Sequence, residues 1–75
     1  MADRREVEQL LELMDRNVAE DERRVTEQRQ YVEEQKRAGH KLTVSRDRLD
    51  VLESALARAV AARDQVRKKL EALPK

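Results

Sequence analysis

The chain has 75 residues, 44% of them charged, with one aromatic, one glycine, one proline and no cysteine. Strand and turn formers are too scarce for a β or mixed domain, so the composition fits one small all-α unit. The missing cysteines exclude a disulfide framework, a thiol nucleophile and a thiolate metal site, and a formal charge of +1 gives no chain-wide attraction to nucleic acid or acidic membranes.

Asp3 followed by Glu6 has capping-box spacing, with Asp in place of Ser or Thr, and sets the start of a first helix near Arg4. From there, steps of four and three residues run through Val7, Leu11, Met14, Val18, Asp21, Val25, Gln28, Val32 and Gln35, the a/d rhythm of a coiled coil. Gly39 can take the left-handed conformation that closes a helix, and Lys36 and Arg37 suit the negative end of the dipole just before it. The first helix is therefore expected over about residues 4–38.

A loop over 39–44 follows. Thr43 or Ser45 can cap the second helix; Ser45 has the better case, because Val44 and Leu49 then occupy the two positions of a hydrophobic staple. The same steps continue through Ser45, Leu49, Leu52, Leu56, Ala59, Arg63, Val66, Leu70 and Leu73, and Pro74 ends the helix, expected over about 45–73. Residues 1–38 carry a net charge of −3 and residues 39–75 a net charge of +4. That asymmetry favours folding the second helix back onto the first, as a single antiparallel coiled-coil hairpin spanning 1–75.

If partner numbers sum to about 84, Val32 meets Leu52, Gln28 meets Leu56, Val25 meets Ala59, Val18 meets Val66 and Met14 meets Leu70. Asp21 then faces Arg63, so the two charges that intrude into the seam pair with each other and penalise slipped alignments. The flanking positions bring Asp15 toward Arg67 and Arg29 toward Glu53, and set Tyr31 against Ala55.

Leu10, Leu11, Leu13 and Met14 form more apolar surface than one partner helix can cover, and Val60 with neighbouring alanines adds more on the second helix. A single two-helix seam buries little surface, so the expected assembly is a homodimer forming a four-helix bundle; docking on an unidentified protein is the competing use of the same face. His40, the only histidine, reads as an exposed loop residue, and the adjacent carboxylates point about 100° apart on a helix rather than facing as a dyad. No catalytic, cofactor-binding or metal site is expected. Asp3, Glu6 and Glu8 interrupt any signal-peptide core and the longest apolar run, residues 59–62, is far short of a membrane span, so a cytoplasmic protein is expected.

Val25-x-x-Gln28-Arg29-x-x-Val32, the Gly39-His40 break, Leu49-x-x-Leu52-x-x-x-Leu56 and Arg63-Asp64-x-Val66 together resemble a group of short, uncharacterised bacterial helical-hairpin proteins over about residues 18–70. The resemblance implies a hairpin without an assigned activity, and in that group Asp and Thr follow the Gly-His where this chain has Lys41 and Leu42. The expected function is a non-enzymatic module for self-association and protein interaction. An alternative is an RNA-binding bundle similar in build to the plasmid Rop protein, with Arg46, Arg48, Arg58 and Lys68 on phosphates; the missing stacking aromatics and the acidic neighbours of these residues disfavour nucleic acid.

Overall fold

The computed structural model describes residues 3–74; residues 1, 2 and 75 of the expected single unit lie outside the described residues. Two helices, α1 (Arg4–Arg37) and α2 (Thr43–Ala72), pack against each other as a hairpin, with no strand among the described residues. Their 34 and 30 residues at about 1.5 Å of rise each make a rod measuring 57 × 14 × 14 Å. No helix is long and apolar enough to cross a membrane among the described residues.

Local chemistry accounts for three of the four helix ends. At the start of α1 the Asp3 carboxylate accepts the Glu6 backbone N–H at 2.9 Å, satisfying a donor that has no partner within the helix. At its end Gly39 adopts φ 75°, His40 N–H bonds Gln35 O at 3.0 Å and Gly39 N–H bonds Lys36 O at 3.2 Å. These two bonds are the Schellman closure, which needs a residue without a Cβ penalty at Gly39. At the end of α2, Leu73 is extended and its N–H reaches Leu70 O at 3.2 Å, just before Pro74.

The start of α2 departs from expectation. The helix begins at Thr43, two residues before the expected start, and Ser45 is not its cap. The Ser45 side chain is buried in the first turn, where its Oγ donates to Leu42 O at 3.1 Å beside the Arg46 N–H bond to the same carbonyl at 2.8 Å. Its oxygen accepts from none of the free N–H groups of the first turn, and the cap position falls at Leu42, which has no side-chain hydrogen bond to offer. Ser45 occupies a seam position, and facing α1 turns it away from the role of a cap.

Exposure along α1 follows the four-three steps closely. All nine expected seam residues from Val7 to Gln35 are buried or half-buried, and the rest of the helix is exposed except Arg4 at the tip. Val18 and Val25 are 2% exposed and Val32 is buried with them, a single file of β-branched side chains down the rod. On α2 the seam residues from Ser45 to Leu73 are likewise buried or half-buried.

The alignment of the two helices corrects the expected one by a full heptad. Gln28 Nε2 donates to Ser45 O at 2.9 Å, and Arg4 Nη1 reaches Leu70 O at 3.5 Å. Leu56, the expected neighbour of Gln28, lies about 16 Å of helix rise beyond Ser45, further than a glutamine side chain reaches. Facing numbers therefore sum to about 77: Val32 with Ser45, Gln28 with Leu49, Val25 with Leu52, Val18 with Ala59, Leu11 with Val66. A shift of seven residues keeps every a position opposite a d position, so the apolar pattern tolerates both alignments equally. The polar seam residues do not, and the observed alignment joins Gln28 to Ser45.

Asp21 and Arg63 accordingly do not pair. Asp21 Oδ1 accepts from Arg24 Nη1 at 3.1 Å on its own helix, and Arg63 reaches Asp64 at 3.2 Å and Asp15 at 3.8 Å. Each intruding charge leans out of the seam to a partner at its edge, where both keep about a fifth of their side-chain surface in water. Edge pairing avoids the desolvation that an ion pair inside the seam would require.

Candidate functional site

Residues that immediately precede the seam positions lie on one side of the rod, and residues that immediately follow them lie on the other. The following side is laced together by charge. Arg29 Nη2 meets Glu53 at 3.2 Å, and Arg67 Nη2 meets Asp15 at 3.5 Å, as the heptad positions predict. Arg63, leaning out of the seam, contacts both Asp15 and Asp64 on this side.

The preceding side is different. Leu10, Leu13, Tyr31, Val44 and Val51 are the large apolar side chains exposed among the described residues, and every one of them precedes a seam residue. Val44 is 83% exposed and Val51 65% exposed, so each gains little burial from the hairpin itself. Near the loop, Tyr31, Val44 and Arg48 line an open groove of about 580 Å³ together with the seam residues Gln28, Gln35 and Ser45. At this end of the rod the groove joins α1 and α2 residues of the same side.

The residues expected to form the association face divide between seam and surface. Leu11 and Met14 are half-buried in the seam between the helices, whereas Leu10 and Leu13 are exposed on the apolar face. Val60 follows Ala59 and so lies on the opposite, charged side, half-buried. Tyr31 shares the loop-end groove with Val44 and Arg48 instead of lying on Ala55, a consequence of the one-heptad shift. Val44 and Tyr31 were legible as members of the face only by asking which residues precede each seam position.

His40 is exposed in the loop, and no group of three or more His, Cys, Asp or Glu side chains able to hold a metal ion occurs among the described residues. Every buried side-chain nitrogen or oxygen among the described residues has a hydrogen-bond partner. Comparison with protein families, curated proteins and solved structures gives no match. The one-sided exposure of large apolar side chains is the feature that sets this hairpin apart from a plain charged rod.

The cations weighed for RNA binding do not share a side. Arg48 and Arg58 precede seam residues and flank the apolar face, Arg46 follows Ser45 on the charged side, and Lys68 lies on the outer surface of α2, two places past Val66. A phosphate backbone following a straight rod would meet only part of that set.

Proposed function

We propose that this chain is a non-enzymatic association module: a coiled-coil hairpin that pairs with a second copy through its apolar face and offers its remaining helix surface to a partner protein. The observation that supports this reading is the segregation of Leu10, Leu13, Tyr31, Val44 and Val51 onto one side of a rod whose other side carries the cross-helix ion pairs Arg29–Glu53 and Arg67–Asp15. Large apolar side chains exposed on one side only of a small domain are a common mark of an interface. A second hairpin laid on that face completes a four-helix bundle, in which each apolar edge gains a helix to pack against.

Light scattering across a dilution series tests the proposal. The wild type is expected to have twice the 8.8 kDa chain mass at high concentration. Val51→Glu and Leu10→Glu are expected to return it to the single-chain mass with helical circular dichroism retained, because neither side chain supports the seam. A single-chain mass for the wild type at every concentration would overturn the proposal.

A further inference from the structure

The apolar face is not electrically uniform. The α1 edge holds Asp3, Glu6, Glu20, Glu27 and Glu34 against one cation, Arg24, which is already engaged by Glu20 at 3.6 Å and Asp21 at 3.1 Å. The α2 edge, running through residues 44, 48, 51, 55, 58, 62, 65, 69 and 72, holds Arg48, Arg58 and Lys69 and no acid at all. None of these three cations makes an ion pair among the described residues; Arg67 on the opposite side and Arg63 in the seam are paired, while Arg46 on the opposite side is not. One face thus carries an acidic edge and a basic edge side by side, both rimmed with apolar residues.

Two hairpins that meet through this face about a two-fold axis have two principal ways to do so. With the axis across the rod, α1 lies on the partner's α1 and α2 on the partner's α2, acid over acid and base over base. With the axis parallel to the rod, α1 lies on the partner's α2, and residues at one level again have numbers that sum to about 77. Glu20 then comes level with the partner's Arg58, Glu27 with the partner's Arg48 and Glu6 with the partner's Lys69. In the same superposition Leu13 falls on the partner's Ala62, and Tyr31 on the partner's Val44.

From this self-complementarity we infer that the dimer has its two-fold axis along the rod, with both loops at the same end and each α1 seated on the other copy's α2. The inference rests on the association proposed above and goes further, because it names which helix meets which. Like charges brought opposite one another exclude the alternative, and opposite charges at matched levels select this one.

The chain has no cysteine, so His40→Cys places a single spin label at each loop tip, and pulsed electron resonance reads the distance between the two. The expected separation is closer to the 14 Å thickness of the rod than to its 57 Å length. A separation near the full length would overturn the arrangement and leave the dimer standing, while a dimer-free sample by light scattering would overturn the association itself. Charge reversal gives a second readout. Glu20→Arg and Arg58→Glu, each alone, are expected to weaken dimerisation about fivefold, and the double variant to recover it. Tightening by Glu20→Arg alone would place acid over acid and refute the proposed pairing.

Discussion

Gly39 is the one residue whose replacement acts through backbone conformation alone. Its φ of 75° closes α1, yet a Cβ built there meets nothing within 4 Å, so no packing defect accompanies a substitution. Gly39→Ala is expected to cost roughly 1 kcal/mol in urea unfolding, and Gly39→Asn less, since asparagine tolerates the left-handed region. The valine file responds to the opposite property. Val18 and Val25 are held on all sides, so Val25→Ala removes two methyl equivalents and leaves a gap, with an expected loss of about 2 kcal/mol by the same measurement. Both positions were readable beforehand, the glycine from the cations before it and the valines from their spacing. Ser45 was not, because a serine at the head of a helix has two uses, and only the orientation of the seam decides between them.

At the level of the helices, the hydrophobic rhythm determines which faces meet but leaves the alignment open in steps of seven. Val25 is equally content against Leu52 or Ala59. The choice therefore falls to the polar members of the seam, and there were two candidate reconciliations: Asp21 with Arg63, or Gln28 with Ser45. Matching formal charges is the more conspicuous solution, but an amide on a backbone carbonyl avoids burying ions, and the intruding charges find partners at the edge. Double-mutant cycles distinguish the two alignments. Coupling between Asp15 and Arg63 is expected at about 0.5 kcal/mol, as for other half-exposed ion pairs, and coupling between Asp21 and Arg63 at zero within error. The flanking pairs Arg29 with Glu53 and Asp15 with Arg67 were legible because long side chains bridge neighbouring levels, which makes them insensitive to the alignment that was in question.

The whole molecule is a rod with two unlike sides, and its behaviour in solution should depend on how much of it is present. If the apolar face is covered only by a second copy, the melting temperature is expected to rise with protein concentration, and Val51→Glu to remove that dependence. Leu10 and Leu13 announced this face in the sequence because they crowd one turn of α1. Val44, Tyr31 and Val51 are dispersed along two helices, and the first two each had a local use available, as a staple or as a cover for alanine. That the three share one side follows from each preceding a seam residue once the helices are folded back on each other.

The short turn at residues 38–42 also has consequences for how the rod is made. Facing residues are few positions apart in the chain beside the loop, Gln35 with Leu42, and far apart at the tip, Val7 with Leu70. The entropy of closing each successive pair is therefore lowest next to the turn and grows toward the open end. Assembly should proceed as a zipper from Gly39 outward, with a transition state structured near the loop and frayed at the tip. On a chevron plot of the dilute protein, Gly39→Ala and Val32→Ala are expected to slow folding, and Val7→Ala and Leu70→Ala to speed unfolding while leaving the folding arm where it was.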